Sequence, residues 1–227
     1  MNKINIVGLG PGNPDYILPE VTKIIKKSDI LIGGKRNLES VDTKSKKTIE
    51  ITNNLSEILE FIKKNIDNRQ ITIVASGDIG FCSILGFLKK HFDTDNFNIV
   101  PGISVFQYFF AKIGKTYEDA FLGSLHGKDF DLLEKLTQYK KIFLLTDEKH
   151  SYKYIAKILC DNNLSEKIIY LGANLSYPDE TIIKEKAKYI LDKDFSFKLY
   201  AVIIDDEWWF DWIVINNRQT NYLKIDR

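Results

Sequence analysis

Apolar residues along the chain fall into short runs of two kinds. Ile4-Asn5-Ile6-Val7, Asp29-Ile30-Leu31-Ile32, Ile71-Thr72-Ile73-Val74-Ala75 and Phe97 to Val100 are rich in β-branched side chains and end in glycine, serine or proline. That is the pattern of strands buried on both faces. Between them, residues 16–27, 54–66, 81–90 and 105–113 carry apolar side chains at helical spacing, with Leu55, Ile58, Leu59 and Ile62 on one face. Asn13-Pro14-Asp15 signals a helix entry, and Pro19 is tolerated in a first turn. Residues 35–40 read as a short helix and 48–51 as a short strand. Strands alternating with helices predict a mostly parallel sheet in this half.

The pattern restarts after residues 114–118, which read as a hinge. Ala120-Phe121-Leu122-Gly123 opens a second α/β unit. It continues with a helix at 131–138, a strand at Lys141 to Leu145, a helix at 152–160 and a strand at 167–172. Strands at 180–184 and 199–204 are expected to be partly antiparallel. The fold class is therefore α/β, with one domain over residues 1–114 and a second over 119–227. Glu207-Trp208-Trp209-Phe210-Asp211-Trp212 holds all three tryptophans. Such a cluster reads as core or subunit interface rather than a ligand box.

Composition removes several function classes. The 32 Lys+Arg against 31 Asp+Glu leave a net charge of +1, so bulk charge gives no nucleic-acid groove. Lysines interleaved with Glu and Asp read as solvated helix faces, and His91 and His150 among them read as solvated too. No apolar run approaches the ~18 residues of a membrane span. The amino terminus enters a strand at once, leaving no room for a signal peptide. Cys82 and Cys160 lack a C-x-x-C spacing, so neither disulfide nor zinc chemistry is expected, and the chain reads as cytoplasmic.

Candidate chemistry starts at Gly8-Leu9-Gly10-Pro11-Gly12, behind the first strand. In open α/β sheets ligands bind at the carboxyl ends of strands. Three glycines in five residues let a ligand approach the backbone. A dinucleotide fingerprint fails on spacing, because its third glycine would fall on Asn13 or Asp15, and no carboxylate ends the second strand. A phosphate loop fails for want of Gly-Lys-Ser/Thr, and Pro11 has no N–H for an anion. The turn therefore suits an uncharged or cationic cofactor.

Three more turns follow strands: Ser76-Gly77-Asp78-Ile79-Gly80-Phe81, Pro101-Gly102-Ile103-Ser104, and Gly123 to Lys128. In this order the four turns resemble those of the tetrapyrrole methylase superfamily. Gly34-Lys35-Arg36-Asn37-Leu38, Ser124-Leu125-His126-Gly127 and Leu171-Gly172-Ala173-Asn174-Leu175-Ser176-Tyr177-Pro178-Asp179-Glu180 extend the resemblance to the branch acting on cobalt-precorrin-7. The first loop and the Ser-Gly-Asp turn are superfamily-wide, while Ser124 to Gly127 points to the branch. Ile79 stands where members usually have proline, Leu18-Pro19 where they have leucine-threonine, and Lys128 where arginine is frequent. The last exchange replaces a two-pronged carboxylate binder with a point charge.

The resemblance implies two α/β domains with S-adenosylmethionine in the cleft between them, in a homodimer. It places the cofactor against Leu9, Gly10, Asp78, Phe81, Ser104, Val105, Leu145 and Thr146. Asp78 would bind an ammonium or a ribose hydroxyl, or else cap a helix starting near Gly80. The reaction implied is methylation of carbon 5 of a cobalt-bound, ring-contracted tetrapyrrole in anaerobic cobalamin synthesis. Another precorrin, an RNA or a protein is the alternative substrate. His126 would assist proton loss or donate to a substrate carboxylate, or else hold its turn. Lys35, Arg36, Ser124, Gly127 and Lys128 would bind the substrate. Cobalt would arrive within the substrate, leaving no protein metal site. Some relatives carry a fused domain that methylates carbon 15 and decarboxylates; for a chain this short, a separate partner is the corresponding expectation.

Overall fold

A computed structural model describes residues 2–126, 130–206 and 215–216; the tryptophan cluster at 207–212 lies outside these. Two compact units divide the chain, Met1–Tyr108 and Phe109–Arg227. The division falls inside a helix, ahead of the hinge expected at 114–118.

The first unit runs β1 (Ile4–Gly8), α1 (Pro19–Lys27), β2 (Ile30–Gly33), α2 (Lys35–Glu39), β3 (Lys47–Glu50), α3 (Leu55–Asn65), β4 (Ile71–Ala75), α4 (Leu85–Leu88) and β5 (Phe97–Val100), and ends within α5 (Val105–Lys112). Its strands form one sheet in the order β3-β2-β4-β1-β5, every pair parallel. Alternation sorts the side chains onto two faces. Ile4, Ile6, Ile30, Ile32, Ile71 and Ile73 pack with Ile58, Leu59 and Ile62 of α3. Val7, Leu31 and Val74 pack with Val21 and Ile25 of α1. Both faces are covered, as a parallel sheet requires.

Two expected helices are shorter in the structure. The segment from residue 16 to 27 resolves into a 3-10 turn at Pro14–Tyr16, capped by Asn13, and α1 starting on Pro19. The helix expected over 81–90 keeps only α4. Cys82 has φ 48°, a left-handed conformation that no α-helix continues through. Ser83 Oγ donates to the Ile79 carbonyl at 2.5 Å and holds that turn.

The second unit comprises β6 (Ala120–Ser124), α6 (Leu132–Gln138), β7 (Lys141–Leu145), α7 (Tyr152–Asp161), β8 (Ile168–Ala173), β9 (Thr181–Lys186), α8 (Ala187–Ile190), β10 (Tyr200–Asp205) and β11 (Ile215–Asn216). The sheet order is β11-β9-β8-β10-β7-β6. Among the described residues β6 and β7 pair in parallel, while the pairs made by β8, β9, β10 and β11 are antiparallel, in line with the partly antiparallel later strands expected from the sequence. Ile142, Leu144, Ile169, Leu171, Val202 and Ile204 face α7 and α8. On the other face Gly172 makes room for the Phe109 ring, since a Cβ there would lie 2.7 Å from its Cζ. No helix among the described residues is long and apolar enough to cross a membrane.

The turn from β8 to β9 is held by a buried charge. Glu180 is 3% exposed; its Oε2 accepts the Ser176 N–H at 2.7 Å and its Oε1 pairs with Lys112 at 2.9 Å. Asn174 and Ser176 sit at φ 47° and 72°, which the Glu180 anchor helps to hold. Glu180→Ala leaves a buried N–H without its acceptor and should cost about 2 kcal/mol. Glu180→Gln keeps an acceptor oxygen and should lose less. Paired denaturant melts of the two variants check the ranking.

Candidate active site

In the first unit the ends of β1, β4 and β5 converge on glycines. A Cβ on Gly8 would stand 2.5 Å from the Gly77 carbonyl oxygen and 2.6 Å from Gly102 N; one on Gly102 would stand 2.2 Å from the same oxygen. These contacts are main chain on main chain, so nothing larger than glycine fits. Gly10 and Gly77 exchange hydrogen bonds at 3.2 and 2.7 Å, and both have positive φ. Leu9 N–H donates to the Ala75 carbonyl at 2.8 Å.

Asp78 fastens the third turn. Its Oδ2 accepts Gly80 N–H at 2.9 Å, and its Oδ1 accepts Gly102 N–H at 3.3 Å. No α-helix begins at Gly80, so the helix-capping reading of Asp78 gives way to one in which it ties two turns together. A carboxylate has about four acceptor positions, which leaves capacity for a ligand's ammonium or hydroxyl. Phe81 stands edge-on to Phe106 at 5.2 Å. Ser104 is buried and starts α5: its carbonyl accepts Tyr108 N–H at 3.1 Å, and its N–H donates to Gln107 Oε1 at 2.8 Å. This is half of a capping box, and Val105 follows it as the first helical residue. Leu9 is 4% exposed and packs in the core, so a ligand would meet its main chain.

The donor inventory tests the cofactor class. Gly10 N–H is already given to Gly77, and Pro11 has none. A pyrophosphate would find a poor cradle in this loop, whereas a sulfonium or an adenosyl group would meet close backbone and one carboxylate. Lys35 and Arg36 open α2 at the carboxyl end of β2, and both are exposed.

In the second unit, β6 and β7 end side by side, with Ser124 opposite Leu145. Leu125 is buried and its N–H donates to the Leu145 carbonyl at 2.8 Å. His126 is exposed, and its N–H reaches Ser124 Oγ at 3.2 Å. Gly127 and Lys128 lie outside the described residues. Thr146 Oγ1 donates to the Tyr200 carbonyl at 3.0 Å, which ties the end of β7 to β10. Burial pushes the Tyr200 phenol above its ordinary pKa, so it stays neutral.

His150 corrects the expectation of a solvated side chain. It is 4% exposed, and Asp147 Oδ1 accepts both its main-chain N–H, at 2.7 Å, and its Nδ1, at 3.0 Å. Neighbouring Glu148 and Lys149 are exposed and made the whole stretch look polar. The missed signal was Asp-x-x-His ahead of the Ser151 helix cap. His91 is exposed, as expected. No cluster of three or more metal-ligating side chains occurs among the described residues.

Residues 3–190 match the family described as Tetrapyrrole (Corrin/Porphyrin) Methylases. The chain is 34% identical over 211 residues to a Methanocaldococcus jannaschii protein named "Probable cobalt-precorrin-7 C(5)-methyltransferase", spanning 90% of this chain and 99% of that one. It is 28% identical over 204 residues to the cobalt-precorrin-7 C(5)-methyltransferase of Salmonella typhimurium, with the same coverage. Among solved structures it resembles a uroporphyrin-III C-methyltransferase from Thermus thermophilus complexed with S-adenosylhomocysteine. The TM-score is 0.72 at 15% identity, covering 90% of this chain and 98% of that one, which shows a shared fold.

The glycine contacts make a stability prediction. Gly102→Ala should unfold or strongly destabilise the first unit, because its neighbours are backbone and cannot yield. Gly86→Ala, in α4 with nothing within 4 Å of the added Cβ, should gain about 0.5–1 kcal/mol. Thermal denaturation of the two variants beside the parent decides it.

Proposed function

The chain belongs to the tetrapyrrole (corrin/porphyrin) methylases, and from that premise we propose that it methylates carbon 5 of cobalt-precorrin-7, using S-adenosylmethionine, in cobalamin biosynthesis. The observation that carries this reading is 34% identity, over 90% of this chain, with a relative bearing that name as a probable one. A fold shared with methylases of other tetrapyrroles would not by itself choose the substrate.

S-adenosylmethionine supplies a methyl group made electrophilic by its sulfonium. In the first unit, the main chain of Leu9 and Gly10 would lie against this cofactor, with Asp78 as the carboxylate for its ammonium or a ribose hydroxyl. Phe81, Ser104 and Val105 complete that set. A bridging carbon of a conjugated tetrapyrrole is itself nucleophilic. The protein's task is therefore alignment and exclusion of water, with no strong base needed for attack.

The acetate and propionate groups of the substrate call for cations. Lys35 and Arg36 are exposed, and an arginine binds a carboxylate with two parallel hydrogen bonds. In the second unit, Ser124 and His126 are the polar groups at the end of β6, with Gly127 and Lys128 next in sequence. His126 would meet the substrate there, receiving a proton or donating to a carboxylate. The free thiols of Cys82 and Cys160 support a reducing, cytoplasmic setting. Resemblance to the family supports a homodimer and a separate partner for carbon 15.

Mass spectrometry of cobalt-precorrin-7 incubated with protein and S-adenosylmethionine should show one added methyl, placed at carbon 5 by NMR with a labelled methyl. Cofactor binding without transfer would keep the family and reject this substrate, leaving another precorrin, an RNA or a protein. His126→Ala should lower transfer about 10²-fold or more if it handles a proton, with cofactor affinity unchanged. Equal loss of both would make His126 structural.

A further inference from the structure

His150 is a buried titratable group that the reading above leaves unused. A carboxylate only accepts, so the hydrogen shared with Asp147 sits on Nδ1, and in the neutral imidazole this leaves the lone pair on Nε2. That Nε2 is buried and has no hydrogen-bond partner among the described residues. A desolvated acceptor without a donor is costly, and in a native structure it calls for a reason. The turn into α7 does not supply one. Asp147 and the His150 main-chain N–H shape that turn, and Ser151 caps the helix by accepting Tyr154 N–H.

Position supplies one instead. The 146–151 loop leaves the carboxyl end of β7, next to the end of β6 and its Ser124-Leu125-His126 segment. Its cover includes the Tyr154 ring, edge-on to the imidazole at 5.2 Å and itself 37% exposed. Rotation of one half-exposed side chain would thin that cover. An imidazole held by a carboxylate, with its free lone pair sheltered from water, is the arrangement of an oriented general base.

We propose that His150, oriented by Asp147, accepts the proton that carbon 5 loses after methylation. The inference rests on the methyltransferase reading. Carbon 5 gains its methyl as the sulfur–methyl bond breaks, and then carries both methyl and hydrogen while the ring holds one added positive charge. The C–H bond breaks, its electron pair returns to the conjugated ring, and the proton passes to Nε2. The resulting imidazolium is paired with the Asp147 carboxylate. His126 then keeps its other role, as donor to a substrate carboxylate.

His150→Asn retains an N–H toward Asp147 and removes the base. In single turnovers with substrate deuterated at carbon 5, the variant should form S-adenosylhomocysteine nearly as fast as the parent. Release of the deuteron should slow by about 10²-fold or more. A methylated species still carrying deuterium would then accumulate, and a primary isotope effect would appear that the parent lacks. Unchanged deuteron release would overturn the proposal. Absence of methyl transfer in the parent would instead remove the methyltransferase reading, and this inference with it. Nitrogen-15 NMR of the cofactor-free parent gives a second readout: His150 should be the Nδ1–H tautomer, and an Nε2–H tautomer would overturn the assignment.

Discussion

Three backbones touch where β1, β4 and β5 end, with no side chain between them. Gly8, Gly77 and Gly102 lie so close that a single methyl on Gly102 would stand 2.2 Å from a carbonyl oxygen. Closely packed strand ends leave little but main chain at their turns for a ligand to meet. Asp78 adds a carboxylate, already hydrogen-bonded to Gly80 and Gly102 and so fixed before any ligand arrives. Preorganisation of this kind lowers the ordering cost of binding. The positions of the first-unit residues proposed to hold the cofactor depend on this contact.

The second unit holds its strand ends by different means. Its sheet is mostly antiparallel, and its turns are fastened by side chains. Glu180 fastens the β8–β9 turn, Thr146 ties β7 to β10, and Asp147 organises the entry to α7. A buried carboxylate such as Glu180 is costly to desolvate unless it is paired and hydrogen-bonded, as it is here. The edge they shape carries Ser124, His126 and His150, the polar groups proposed to meet the substrate.

Strands were the most legible part of the sequence, because β-branched runs bounded by turn residues have few other readings. Lys141–Leu145 and Phe97–Val100 have the bounds that their pattern implied. The helix over 81–90 misled because its apolar spacing is helical while the left-handed φ of Cys82 is invisible in composition. Of the site, the glycine-rich turns and Asp78 were legible as residues but not in their mutual contact, which only the side-by-side pairing of β4, β1 and β5 creates. His150 was misread for a related reason: burial is a tertiary property, and its polar neighbours in sequence point outward.

Isothermal titration calorimetry of the purified protein with S-adenosylhomocysteine, run beside NAD, tests the central claim most directly. The account predicts saturable one-to-one binding of the first ligand and none of the second. A folded protein that ignored S-adenosylhomocysteine, or bound NAD as well, would contradict the glycine cradle as a cofactor site for methyl transfer.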